Sequence, residues 1–289
     1  MPDALTMRAE VARQLQAAEV PSPYADATSI VAHALRLPPV KLATVREVTP
    51  AQGQRVADWA ARRATREPLQ HILGVAYFRH LVLAVGPGVF IPRPETEVLV
   101  DVCLERTSTG ARVVDLCAGS GAIGLAMATE GPSLEVIAVE NQPSALRWLH
   151  RNARTHTHAV ARAGGAYEVV AADATGNPLP GFEGAVDLIA TNPPYIPDDA
   201  TPVDPEVAEY DPPEALYGGP DGLRTVRRLA MVAARLLRPG GWLVIEHGDR
   251  QGSEIDGVPA LLAINGRFTD ITDLPDLAGR PRVTAARRL

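Results

Sequence analysis

Asn192-Pro193-Pro194-Tyr195 closes the apolar run VDLIAT with one carboxamide, two prolines and a phenol. Proline fixes φ and has no N–H, so the stretch is neither helix nor strand interior; it is a stiff elbow. Such an elbow presents acceptors. The side-chain carbonyl of Asn192 and the backbone carbonyl of Pro193 can each take one hydrogen of a planar NH2 group, while Pro194 holds the turn and Tyr195 offers a flat face. A planar nitrogen is a poor nucleophile because its lone pair is delocalised. Holding both hydrogens turns the lone pair toward an electrophile, which is catalysis by positioning and electrostatics with no strong base. By itself, an Asn before Pro is also a common turn former.

Upstream, VVDLCAGSGAIGLAMA joins a buried strand to a helix through Gly119, Gly121 and Gly124. Glycines allow a ligand close to the backbone, and a helix start offers free N–H groups. Nineteen residues beyond Gly121, the strand LEVIAVE ends in Glu140, placed to take the hydroxyls of a ribose. The literal GxGxxG spacing fits a dinucleotide. Asp115, just before the loop, favours S-adenosylmethionine (AdoMet) instead: a carboxylate suits a ligand with an ammonium and would repel a pyrophosphate. Asp173, at the end of YEVVAAD, is a third acid, placed for the adenine amino group. Three acids at successive strand ends favour AdoMet, with a NAD-dependent oxidoreductase as the disfavoured alternative.

The elements that position these groups follow from periodicity. MRAEVARQLQAAEV, PYADATSIVAHALRL and TPAQGQRVADWAARRATREPLQHIL predict three helices, the last with Thr49 as N-cap and Pro50 at its first position. Residues 75–92, with a Gly-Pro-Gly turn, predict a β-hairpin linker. From Arg93 onward helices and strands alternate: PETEVLVDVCLERT, ARVVDLC, GAIGLAMATEG, LEVIAVE, PSALRWLHRNARTH, YEVVAAD, AVDLIAT, one long helix over residues 218–241, and WLVIEHG. RFTDITDLPD and RPRVTAARRL then follow as two strands. The expected fold is α/β: a mostly parallel, Rossmann-like methyltransferase sheet with an antiparallel terminal hairpin, preceded by a small helical bundle. The corresponding domains are residues 1–74, a linker at 75–92, and 93–289. Sheets of this kind bind ligands beyond the carboxyl ends of their strands. The elbow follows the fourth strand, expected beside the first, so Asn192 should face the glycines.

The formal charge of −6 disfavours bulk electrostatic binding to nucleic acid, although residues 1–80 carry +3. No apolar run approaches the roughly 20 residues of a membrane span. The amphipathic, acid-containing N-terminus is unlike a signal peptide. Cys103 and Cys117 have no metal-type spacing, the histidines show no ligand spacing, and a cytoplasmic location without a metal is expected.

Beyond the elbow, the chain resembles the HemK/PrmC family of protein-(glutamine-N5) methyltransferases over nearly its full length. REPLQHILGVAYF, GVFIPRPETEVLV, DLCAGSGAIGLAMA, NPPYIP, EYDPPEALYGGPDGL, LRPGGWLVIEHGDRQG and DLAGRPRVTAARR carry the likeness. The resemblance implies AdoMet contacts from Cys117, Ala118, Gly119, Ser120, Gly121, Glu140 and Asn192. It implies a cradle for a glutamine side chain from Asn192 to Tyr195, with Phe90 lining the same pocket. The substrate it implies is the Gly-Gly-Gln motif of class-1 peptide chain release factors, recognised with help from the N-terminal helices. Three positions depart from the family pattern: Cys117 stands where Gly is usual, Glu140 where Asp is common, and Ala174 where an aromatic covers adenine. The rival readings are a DNA or RNA amino-methyltransferase, which uses the same NPPY logic on a base and would carry a basic track, and a non-catalytic AdoMet-binding module.

Overall fold

The computed structural model describes residues 3–253 and 255–289. The chain divides into two compact units, Met1–Val75 with Pro202–Tyr210, and Ala76–Thr201 with Asp211–Leu289.

The first unit is helical: α1 (Ala4–Ala17), α2 (Pro23–Leu35), α3 (Pro50–Ala64) and α4 (Leu69–Leu73). Thr49 caps α3 in a reciprocal box with Gln52, and Pro50 occupies the first turn, where a missing N–H costs nothing. The single helix expected over residues 49–73 is two. Pro68 has no N–H to continue the helix, and Arg66 turns into the left-handed region at φ 68°. Leu15, Ile30, Val31, Leu42 and Val56 form this unit's own core. The later segment Pro202–Tyr210 joins the unit through Glu206, whose carboxylate pairs with Arg63 at 3.0 Å and Arg66 at 2.6 Å. A domain boundary drawn at residue 74 does not foresee this return of the chain, because the ion pairs span 140 and 143 residues.

The second unit opens at Ala76, inside the first strand of the two-stranded sheet β1 (Val75–Phe78) and β2 (Leu81–Ala84). After α5 (Glu97–Leu104) come β3 (Arg112–Leu116), α6 (Ala122–Glu130), β4 (Glu135–Glu140), α7 (Pro143–Arg162), β5 (Ala166–Ala171) and β6 (Val186–Thr191). The chain finishes with α8 (Arg224–Leu236), β7 (Leu237–Glu246), α9 (Val258–Asn265), β8 (Phe268–Pro275) and β9 (Pro281–Arg288). The main sheet has the order β5-β4-β3-β6-β7-β9-β8. The first five strands are parallel, while β9 pairs antiparallel with both β7 and β8. This is the expected Rossmann-like sheet with its terminal hairpin. Separate apolar cores cover the two sides, one with Leu99, Leu125 and Met127, the other with Leu229, Leu236 and Ile245. Strands buried on both faces read as continuous apolar runs, which is why their positions were legible.

Other elements also differ from expectation. The helix expected over residues 218–241 spans only Arg224–Leu236, because residues 218–223 form a turn packed on the elbow and Leu237 already opens β7. Helix α9 was not foreseen; it is apolar on all sides, so no helical stripe marks it. Among the described residues no helix is long and apolar enough to cross a membrane.

Candidate active site

Strand β3 lies between β4 and β6, and Leu116 pairs with Thr191, so the glycine loop and the elbow emerge side by side. The Thr191 hydroxyl donates to the Leu116 carbonyl at 2.7 Å, tying the two strand ends together. Strand order reverses at β3, the place where open α/β sheets bind ligands.

The loop residues Cys117, Ala118, Gly119, Ser120 and Gly121 lead into α6, with Gly119 and Gly121 at φ 56° and 86°. A Cβ at Gly119 would meet nothing within 4 Å, whereas one at Gly121 would meet Leu149 at 2.6 Å. Gly121 is favoured by its left-handed φ and by the nearby Leu149 and Tyr167 side chains, and Gly119 faces open space. Cys117 adopts φ 62°, the conformation a glycine takes without strain. Burial and the carboxylates of Glu140 and Asp115 push its thiol pKa up, opposite to what a nucleophilic cysteine needs.

Asp115 is fully buried. Its Oδ2 accepts from the Gly124 N–H at 2.9 Å, pinning the start of α6, while Oδ1 has no partner among the described residues. Burial raises its pKa to about 7, against the Gly124 hydrogen bond. Glu140, the longer acid, curls over the loop: Oε2 accepts from Gly119 N, and Oε1 from Asn141 N and Gln142 N, each at 2.8 Å. Each carboxylate oxygen has two acceptor positions, so Oε2 retains one for a ribose hydroxyl. Asp173 lies two residues beyond β5, exposed, with Oδ1 taken by the N–H and hydroxyl of Thr175 at 2.8 Å. Ala174 is buried in the core.

At the elbow, the Asn192 side-chain nitrogen donates to the Thr96 hydroxyl at 3.3 Å, leaving Oδ1 without a partner among the described residues. The Pro193 carbonyl likewise accepts no hydrogen bond from them. The Tyr195 hydroxyl reaches Glu246 Oε1 at 3.5 Å, and burial and that carboxylate push its pKa up. Phe90 lies under the Arg93 guanidinium at 5.1 Å, and Arg93 in turn pairs with Asp211 at 2.5 Å.

Several supports escaped the sequence reading. Asn152 of α7 is 1% exposed and ties the loop to β2: it donates to the carbonyls of Ser120 and Ala84 and accepts from Ala84 N. A lone amide on the buried face of an amphipathic helix was the available signal. Gln251 donates to the Tyr195 carbonyl at 3.0 Å. The glycines of YGGPDGL press on the elbow: a Cβ at Gly218 would lie 2.5 Å from the Pro194 carbonyl oxygen, and one at Gly222 would lie 2.2 Å from that of Tyr195.

Residues 6–74 match the PrmC N-terminal domain, and residues 86–208 the methyltransferase small domain. The chain is 44% identical to the release factor glutamine methyltransferase of Mycolicibacterium smegmatis, over 95% of its own length and 94% of the relative's. The chain belongs to this family. Release factor glutamine methyltransferases are not its sole relatives: a 4-amino-L-phenylalanine/4-methylamino-L-phenylalanine methyltransferase of Streptomyces pristinaespiralis is 38% identical, covering 87% of this chain and 83% of that one. In fold, a methyltransferase from Pyrococcus furiosus superposes with a TM-score of 0.52 at 19% identity, over 73% of this chain and 89% of the other. The segments PRPETE, NPPY and DPPEALYGGPDGL are held together by the Thr96–Asn192 and Arg93–Asp211 contacts and by the glycines that press on the elbow.

Proposed function

We propose that this methyltransferase transfers a methyl group from AdoMet to the side-chain amide nitrogen of the glutamine in the Gly-Gly-Gln motif of class-1 peptide chain release factors. The observation that carries the chemistry is the pair of acceptors without a partner among the described residues, Asn192 Oδ1 and the Pro193 carbonyl, beside the glycine loop. The substrate identity is supported by family membership.

The residues present fit AdoMet. Asp115 leaves a buried acceptor without a partner below the loop, Gly119 faces open space, and Glu140 keeps acceptor capacity on the ribose side. Asp115, Cys117 to Gly121, Glu140, Asp173 and Asn192 would hold it, and bound AdoMet would supply an electrophilic sulfonium methyl, its S–CH3 bond breaking to leave S-adenosyl-L-homocysteine. Asn192 Oδ1 and the Pro193 carbonyl take the two amide hydrogens and orient the nitrogen lone pair. Pro194 fixes the direction of those carbonyls, and Tyr195 and Phe90 pack the flat amide. An amide is too weak a base to lose its proton first, so the proton leaves to water after transfer. Residues 1–74 act as the substrate-recognition domain, 75–92 as a linker and 93–289 as the catalytic domain, in a protein that works in the cytoplasm without a direct nucleic-acid contact.

Labelled AdoMet incubated with the protein, a release factor, duplex DNA and 4-amino-L-phenylalanine tests this. Label is expected on the release factor and lost on Gln→Ala in its Gly-Gly-Gln motif. Label on DNA, or on the arylamine alone, overturns the proposed substrate. AdoMet binding with no transfer to any of them would favour a binding module.

A further inference from the structure

Strand β7 ends at Glu246, and the next residue, His247, is fully buried. β9 fixes its backbone: His247 N donates to the Arg282 carbonyl at 2.9 Å, and the Arg282 guanidinium donates to the His247 carbonyl at 3.2 Å. The ring is fixed as well. Nε2 lies 2.7 Å from Asp273 Oδ1 of β8 and 3.0 Å from the Thr284 hydroxyl of β9, which itself donates to Asp273 Oδ1 at 3.0 Å. The other ring nitrogen, Nδ1, meets the Gly248 carbonyl at 2.9 Å. A carbonyl can only accept, so Nδ1 carries a hydrogen.

That carbonyl opens the turn Asp249–Gln251, and it also accepts from Gln251 N at 2.8 Å. The Gln251 side chain then closes the turn, Oε1 accepting from Gly248 N and Nε2 donating to the Tyr195 carbonyl of the elbow, each at 3.0 Å. With the amide oxygen committed to Gly248, the nitrogen is the end left for the elbow. The Tyr195 hydroxyl reaches Glu246, so residues 246–251 meet Tyr195 at both ends. The chain leaving the turn comes back to the same aspartate: a Cβ at Gly252 would lie 2.6 Å from Asp273 Oδ2. A histidine serving only to pair with Asp273 would need Nε2 alone. Here the second nitrogen joins that pair to the turn that holds the elbow.

We propose that His247 and Gln251 are positioning residues for the methyl acceptor. His247 Nδ1 sets the direction of the Gly248 carbonyl, and the turn built on that carbonyl sets Gln251. Gln251 in turn sets the Tyr195 carbonyl, two residues beyond the Pro193 carbonyl that takes an amide hydrogen. The inference rests on the reading of the elbow as the acceptor site. It divides the two ring nitrogens by role: Nε2 serves stability through Asp273, and Nδ1 serves turnover through Gly248.

Two amide substitutions each keep one of these bonds. His247→Asn leaves a donor near the Nδ1 position, and His247→Gln leaves one near the Nε2 position. Both are compared, in the full chain, with Gln251→Glu, which keeps an acceptor for Gly248 N but has no hydrogen for the Tyr195 carbonyl. Turnover is measured on whichever acceptor the wild type methylates, AdoMet affinity by calorimetry, stability by thermal melting, and the Gln251 side-chain amide by NMR. His247→Asn should keep kcat within about threefold and melt about 3–10 °C lower. His247→Gln should melt nearer the wild type and lose about 10- to 10²-fold in kcat, as for a misplaced reacting group. Gln251→Glu should lose as much with AdoMet affinity nearly unchanged, and the His247→Gln/Gln251→Glu pair no more than the worse single variant. Equal turnover in the two His247 variants, the reverse order, or additive losses would overturn the proposal. Gln251 is only partly buried, so its variant decides the matter even where a His247 variant does not fold: full turnover in Gln251→Glu overturns the clamp. The amide signal should move in His247→Gln and hold in His247→Asn whatever is methylated, and an unmoved signal in His247→Gln overturns the inference by itself. Failure of the elbow reading shows differently, as full turnover in Asn192→Ala.

Discussion

Asn192 Nδ2 donates to the Thr96 hydroxyl at 3.3 Å, across 96 residues of sequence, so the elbow's carboxamide is oriented by the segment that precedes the catalytic sheet. Asn192→Ala removes the acceptor without touching the glycine loop. We expect kcat to fall about 10²- to 10³-fold, the scale of losing one preorganised electrostatic contact. AdoMet affinity should change far less, and equal losses in both would contradict the acceptor role.

Gly222 sits at φ +73° with the Tyr195 carbonyl oxygen 2.2 Å from where a Cβ would be. Backbone cannot swing away as a side chain can. Gly222→Ala should cost about 2–4 kcal/mol, strain and overpacking together, and abolish most turnover. Gly110→Ala is the control: its φ is +75°, but nothing lies within 4 Å. It should cost about 1–2 kcal/mol from φ alone and leave turnover intact. Urea midpoints and kcat of the two variants check this.

Cys117 holds a side chain at φ 62°. Relief of that strain outweighs the added chain entropy of glycine, so Cys117→Gly should stabilise by about 0.5–1 kcal/mol. A thermal melt reads the difference, and a lower melting temperature would show that the thiol's packing matters more.

Burial lifts Asp115 from 3.8 to about 7. A carboxyl whose folded pKa is raised contributes stability that is complete below its unfolded value and lost as pH rises through the folded one. Between about pH 4 and pH 7, Asp115 should therefore destabilise the folded chain progressively, and Asp115→Asn should flatten that part of the urea-midpoint profile. An AdoMet ammonium beside Asp115 would favour its ionised form, so binding near neutral pH should release protons from the wild type and fewer from Asp115→Asn. Calorimetry in buffers of different ionisation enthalpy measures this.

Glu206 works in the opposite direction. Burial alone would raise it, but hydrogen bonds from Arg66 and Arg63 hold its pKa down to about 2. Its contribution is complete above about pH 4.5 and lost as pH falls toward 2. Glu206→Gln should cost roughly 1.5–3 kcal/mol, the range for hydrogen bonds to charged groups, and should make residues 202–210 the first site of limited proteolysis. Unchanged proteolysis would show that other contacts hold the segment.

Local chemistry was enough to read most of the helices, the parallel strands and the elbow. Thr49 and Pro50 mark the start of α3, apolar runs mark strands buried on both faces, and three prolines keep residues 192–197 out of any helix or strand. These are effects of a residue on itself or its near neighbours. The residue types at the elbow also limited the chemistry to acceptors for a planar nitrogen.

Tertiary structure decided everything that depends on contact across long separations. Only the register of β3, β6 and β7 brings Asp115, Asn192 and Glu246 to one edge. Only folding buries Asp115 and Glu246 enough to move their pKa values, because desolvation is a property of surroundings and not of composition. The supports Asn152, Gln251, Gly218 and Gly222 showed no such role in sequence, since each matters through backbone groups brought close by packing. The sequence by itself determined which atoms could accept an amide's hydrogens. The fold decided that two of those acceptors stay without a partner among the described residues, because Thr96 takes the nitrogen end of the Asn192 carboxamide and no described donor bonds the Pro193 carbonyl.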